Sequence, residues 1–233
     1  MGILTAKLTI VGNRALLWNR FSPDALPLEK RPRTGVAGND PDEWRKTVLT
    51  TGDGHLYLEP TYIFGCLRDA AKYTSRRRGT LQPILASTLQ VNDARVLVDR
   101  WLPKDLENLA QAEHKPVYLD VRSVRNPATR GRNVRYRVAA SPGWKTTFSL
   151  SWDDTLVSEN EMRAVLLDAG RFVGLGDGRK IGLGRFDVLS FEITRNTNAE
   201  KKTAARSLGK NPHKNLEARQ KKVRPLRAAA STQ

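Results

Sequence analysis

Ala6, Leu8 and Ile10 alternate with Thr5, Lys7 and Thr9, and this two-residue period predicts a half-buried strand over 5–11. The same period returns at Thr146, Phe148, Leu150 and Trp152, predicting a strand over 145–152. Residues 96–101 and 186–193 are rich in β-forming side chains and predict two more. Two stretches carry a helical period instead. Ile63, Cys66, Leu67 and Ala70 share one face while Arg68 and Lys72 sit on another, so a helix is expected over 62–75, with Pro60 suited to its start. Met162, Val165, Leu166 and Ala169 repeat in the same way between Ser158 and Gly170. Ser158-Glu-Asn-Glu161 has capping-box spacing, because the serine oxygen can accept from the Glu161 amide while the carboxylate reaches back, and the helix is expected over 158–169. A short helix is expected over 104–113. Two further alternating stretches, 117–124 and 134–138, flank Arg125-Asn-Pro-Ala-Thr-Arg-Gly-Arg132, whose turn residues predict a hairpin over 117–138.

In chain order these elements read strand, helix, hairpin region, strand, helix, strand. Two β-α-β-like halves predict an α+β fold: a ferredoxin-like (RRM-like) antiparallel sheet with helices on one face and a projecting β-hairpin. Residues 13–57 carry Pro23, Pro27, Pro32 and Pro41 with little periodicity and are expected to be a long loop insertion. The domain is expected to end near 195. Residues 196–233 hold ten basic residues against Glu200 and Glu217, a surplus of 8, with few large aliphatics and no aromatics. Such a segment buries too little surface to offset chain entropy, so a disordered basic tail is expected there.

Charge sharpens this picture. Forty Lys and Arg against 24 Asp and Glu give a net charge of +16, which favours a polyanionic partner, nucleic acid ahead of an acidic membrane surface. Cys66 is the single cysteine, so neither a disulfide framework nor a zinc cluster is expected. No apolar run approaches the roughly 18 residues that span a bilayer, and no leader pattern follows Met1. A cytoplasmic protein with no membrane partner, no cofactor and no metal is expected.

Gly174-Leu-Gly-Asp-Gly-Arg-Lys-Ile-Gly-Leu-Gly-Arg-Phe186 concentrates five of the chain's 17 glycines beside three cations. Backbone free of side-chain bulk, together with Arg179, Lys180 and Arg185, suits a phosphate-bearing polymer. The order here is helix, loop, strand. A Walker loop or a dinucleotide fingerprint needs strand, loop, helix, and neither spacing is present, which rejects nucleotide hydrolysis and Rossmann cofactor binding. In the hairpin, Val134, Tyr136 and Val138 point one way and Arg135 and Arg137 the other. With Arg122, Arg125, Arg130 and Arg132, six arginines face the single acid Asp120, and guanidinium forks suit phosphate and stack on bases. The aromatic signature of RNA-recognition sheets is missing, so contact through RNA backbone is expected.

The glycine loop between the last helix and the last strand, ending Gly182-Leu-Gly-Arg-Phe186, resembles the C-terminal glycine-rich motif of the RAMP superfamily of CRISPR-associated proteins. Leu58-Glu-Pro-Thr-Tyr-Ile-Phe-Gly-Cys-Leu-Arg68 resembles the segment that opens the first helix in RAMP backbone subunits, and Leu16-Leu-Trp-Asn-Arg20 resembles their start. The resemblance spans residues 5–193 and implies a palm with a projecting thumb, bound along guide RNA beside further copies of itself and other effector subunits, with target nucleic acid a further partner. It implies phosphate contacts at Arg68, Arg179, Lys180 and Arg185, with Gly176, Gly178, Gly182 and Gly184 letting RNA come close, and Arg20 is a further RNA-binding candidate. Asp177 and the basic tail depart from the simplest family pattern.

Some RAMP relatives cut RNA, with a histidine in processing enzymes or an aspartate in target-cleaving subunits. The candidates here are His55 and Asp24, beside Asp40, Asp42 and Asp53 in the first loop, and none shows a partner constellation. Three functions stay open at this point: a non-catalytic guide-RNA-coating subunit, an endoribonuclease of the same fold that processes guide RNA, and a general RNA- or ssDNA-binding structural protein.

Overall fold

The computed structural model describes residues 2–20, 41–76, 79–125 and 131–195. Its elements are β1 (Ile3–Gly12), β2 (Leu16–Leu17), α1 (Glu43–Thr47), β3 (His55–Leu58), α2 (Pro60–Ala70), β4 (Ser75–Arg76), β5 (Gly79–Thr80), α3 (Gln82–Thr88), β6 (Gln90–Val91), β7 (Val96–Trp101), β8 (Val117–Arg125), β9 (Arg132–Ala140), β10 (Lys145–Asp153), α4 (Glu159–Asp168) and β11 (Phe186–Arg195).

The main sheet runs β11-β1-β10-β7-β3, with β6 also on β10, and every pairing is antiparallel. Taking β1, β7, β10 and β11 as its four principal strands gives the spatial order fourth, first, third, second. With α2 after β1 and α4 after β10, this is the expected α+β, ferredoxin-like arrangement. Register follows the hydrophobic pattern: Ala6 lies opposite Leu150 and Leu8 opposite Phe148, so the apolar side chains of both strands share one face. Against that face pack Ile63, Cys66, Leu67 and Ala70 of α2 and Met162, Val165 and Leu166 of α4, all buried. The opposite face is polar, and there Thr5 meets Ser151 at 3.0 Å and Thr9 meets Thr147 at 2.9 Å through their hydroxyls.

The capping box of α4 is present as read: the Ser158 hydroxyl accepts from the Glu161 amide, and Glu161 accepts from the Ser158 amide at 2.8 Å. The hairpin is also present, with β8 and β9 paired over nine residues and β2 added at the β9 edge.

Two local expectations change. Residues 13–57 hold β2, α1 and β3 among the described positions, where one long loop was expected. These elements are two to five residues long, too short to show a period, and tertiary contacts fix them: Leu16, Leu17, Trp44, Leu56 and Leu58 are all buried. The helix expected over 104–113 is a single turn, Leu106–Leu109. Leu106 is the one residue of that turn that is buried, and Gln111 then takes a left-handed φ of 56° as its amide turns to the Leu119 carbonyl.

Candidate nucleic-acid interface

The glycine loop begins where α4 runs into a wider turn, Ala169–Val173, and ends at β11. All five of its glycines have left-handed φ values between 70° and 86°. The loop folds on itself and onto β2. The Leu175 amide donates to the Gly184 carbonyl at 2.9 Å, the Gly184 amide to Ala15 at 2.8 Å, and the Asp177 amide to Leu17 at 2.9 Å. A Cβ on Gly184 would stand 1.8 Å from the Leu175 carbonyl oxygen, and one on Gly176 would stand 2.5 Å from that of Leu17. The close approach that these two glycines permit is therefore between stretches of protein backbone. Leu183 fills the corresponding space at Gly178, while Gly182 faces open space. Gly178 and Gly182 bracket an outward turn, Arg179–Ile181, which carries the exposed Lys180 and Ile181 at 66 % exposure.

Asp177 ties the loop to the hairpin. Its carboxylate accepts from Arg137 at 2.5 Å, from Asn19 at 3.0 Å and from the Gly178 amide at 2.7 Å. Burial pushes this carboxyl upward, but the Arg137 guanidinium and the Gly178 amide outweigh it and hold it below the usual aspartate value. Arg137 is buried, with side-chain exposure of 7 %, and also pairs at 3.6 Å with the fully buried Asp120. This arginine serves two carboxylates inside the protein and is not a surface cation.

The remaining expected contacts fall into two groups. Arg20, Arg68, Arg179, Lys180 and Arg185 gather around α2 and the glycine loop. Arg20 pairs with Glu59 at 3.0 Å, and Asp69 is shared by Arg68 at 3.0 Å and Arg179 at 3.5 Å. A cleft of 320 Å³ is lined by Arg20, Glu59, Thr61, Tyr62, Gly65, Gly176 and Arg179. It brings together the three segments on which the family resemblance rests, although they lie more than 100 residues apart at the extremes. On the hairpin, Arg122 and Arg135 sit directly opposite each other, as do Arg125 and Arg132. Like charges so placed repel. Midway along the hairpin acids relieve this, Asp120 for Arg122 and Glu43 for Arg135. At the tip Arg125 and Arg132 are exposed, with no ion pair among the described residues. Arg130 lies outside the described residues.

His55 sits on β3, at the sheet edge opposite β11. Its ring stacks on Trp101 at 4.3 Å and 17°, and Nε2–H donates to the Val98 carbonyl at 2.7 Å. Asp53 accepts from the Thr51 hydroxyl, which lowers its pKa, and Asp42 pairs with Arg45 at 3.0 Å. Asp24 and Asp40 lie outside the described residues. Cys66 packs as a core residue, and that burial pushes its thiol up to about 12. Among the described residues no three His, Cys, Asp or Glu side chains gather as metal ligands, and no helix is long and apolar enough to cross a membrane.

No protein-family model and no curated protein matches this chain. Among solved structures it is similar to a chain in a cryo-EM structure of the Type III-B Cmr-beta bound to cognate target RNA, with a TM-score of 0.46 and 11 % identity. The match covers 83 % of this chain and spans 61 % of the other chain's length. At that level the likeness supports no functional argument.

The structure also adds residues that the sequence did not single out. Lys72, Tyr73 and Phe172 line a second cleft with Arg179, Lys180 and Arg185, and Arg14 and Arg171 line a third with Arg185. A signal was present in Lys72-Tyr73 and Arg171-Phe172, each a cation beside an aromatic at the end of a helical period.

Proposed function

We propose that this chain is a non-catalytic subunit of the RAMP kind that holds guide RNA by its sugar-phosphate backbone, within a CRISPR-type ribonucleoprotein that contains further copies of it and other subunits. One observation carries the reading. The three segments that resemble RAMP backbone subunits line a single cleft, which holds Arg20, residues of α2, Gly176 and Arg179 together. Phosphate recognition needs cations held on rigid backbone, and the hydrogen bonds from the loop to β2 supply that rigidity. The hairpin tip offers a second set of cations for RNA or for a neighbouring subunit, and the basic segment 196–233 adds sequence-independent attraction.

The reading is tested by isolating the full chain from its host and sequencing the nucleic acid that stays bound. Short RNAs sharing repeat-derived ends, protected at regular spacing, are expected. RNA without a common repeat, or DNA alone, contradicts the proposal.

A further inference from the structure

Tyr73, in the turn after α2, and Phe172, in the turn that ends α4, meet with ring centroids 5.1 Å apart and planes tilted by 54°. They are 57 % and 52 % exposed. A single exposed ring needs no explanation, but two in contact from distant parts of the chain form a platform. The platform belongs to a cleft of 360 Å³ whose walls also include Lys72, Arg179, Lys180 and Arg185. Against these four cations stands Asp69, which already serves Arg68, Lys72 and Arg179. Phe172 lies two residues before Gly174, inside a wide helical turn of the kind that often marks functional sites. Ring and glycine loop are thus one continuous piece of backbone.

We infer that the Tyr73–Phe172 pair is a seat for an unpaired base of single-stranded RNA whose phosphates lie on Arg179, Lys180 and Arg185. This inference rests on the reading of the loop as a holder of sugar-phosphate. The rings touch each other, so they leave no slot between them, and the base stacks on the outer face of the pair. Every base has a π-face, so the seat tolerates any sequence, and adjacent cations neutralise the phosphates on either side. A protein partner that offered an apolar side chain would cover the rings and leave the four cations with Asp69 as their one shared acid in the cleft.

The test uses the full chain with two probes of equal length, an oligouridylate and an abasic ribose-phosphate oligomer. Tyr73→Leu combined with Phe172→Leu keeps apolar bulk and removes the π-faces. It is expected to weaken oligouridylate binding by about tenfold, with the abasic affinity, both salt slopes and the thermal midpoint unchanged. Phe172→Tyr is expected to bind as the parent chain does. Parent-like oligouridylate binding by the double Leu variant overturns the inference. So does an equal loss on both probes, or unchanged RNA binding with lost assembly on partner subunits. Failure of the underlying reading looks different: abasic affinity is then insensitive to Arg179→Ala with Lys180→Ala. If those changes weaken both probes and the aromatic changes weaken neither, the loop stands and the seat falls.

Discussion

The glycine loop and the arginine hairpin are both cationic, but they organise their charge in opposite ways. In the loop, glycines set the geometry: the backbone packs on itself and on β2, and Arg179 and Lys180 stand on one outward turn. In the hairpin the backbone is an ordinary antiparallel ladder, and charge is graded along it. At its base Arg137 is buried between Asp120 and Asp177, midway Arg122 and Arg135 each find an acid, and at the tip Arg125 and Arg132 face each other in solvent. The two regions join at Asp177. Counting cations therefore overstates the hairpin, where three arginines already have carboxylate partners. A basic residue buried between carboxylates, as Arg137 is, is lost to a phosphate, whereas Arg179, which shares Asp69 but keeps an exposed guanidinium, is not.

The sharpest break of this contrast is Gly184→Ala. Its Cβ would meet backbone at 1.8 Å in a left-handed conformation, so a loss of about 4 kcal/mol or more is expected in chemical denaturation, with loss of RNA binding. Next comes Arg137→Ala, which leaves the buried Asp120 with Arg122 alone and loosens Asp177. About 3 kcal/mol of destabilisation is expected, read as a lower denaturation midpoint at constant m-value. Gly182→Ala meets no atom and bears only the left-handed strain, about 1 kcal/mol. Gly182 and Gly184 thus separate conformational strain from close approach within one loop.

Acid sharpens the comparison at the point where the regions join. Asp177 titrates below an ordinary aspartate, so its contribution is complete above the unfolded value near ~3.9. That contribution is lost as pH falls through the lower folded value. A pH series of denaturation midpoints on Asp177→Asn should show a shallower acid limb than the parent chain, and an equally steep limb assigns the acid sensitivity elsewhere. The smallest effect on stability belongs to the hairpin tip. Arg125→Ala with Arg132→Ala is expected to stay within about 0.5 kcal/mol of the parent chain, while RNA affinity falls.

Much of this fold was legible because its main elements are long and one-sided. The alternation in β1 and β10 and the Ser158–Glu161 spacing each predict a local geometry that tertiary packing reinforces. Leu16–Leu17, buried on both residues, and the five-residue α1 carry no period and take their form from what they pack against. At the candidate site, Arg179, Lys180 and Arg185 were legible from composition within one run. The fate of Arg137 was not, because its partner Asp177 lies 40 residues away and in another element. The platform of Tyr73 and Phe172 was hidden for the same reason: neither ring has a sequence neighbour that reveals the other.

The central claim is that the outward turn of the glycine loop holds RNA phosphates. The most direct test is the salt dependence of single-stranded RNA affinity for the full chain and for Arg179→Ala with Lys180→Ala. Each lost phosphate contact should lower the slope of log affinity against log salt by about 0.7, so a drop of about 1.4 is expected, uniform across RNA sequences. An unchanged slope would contradict the account.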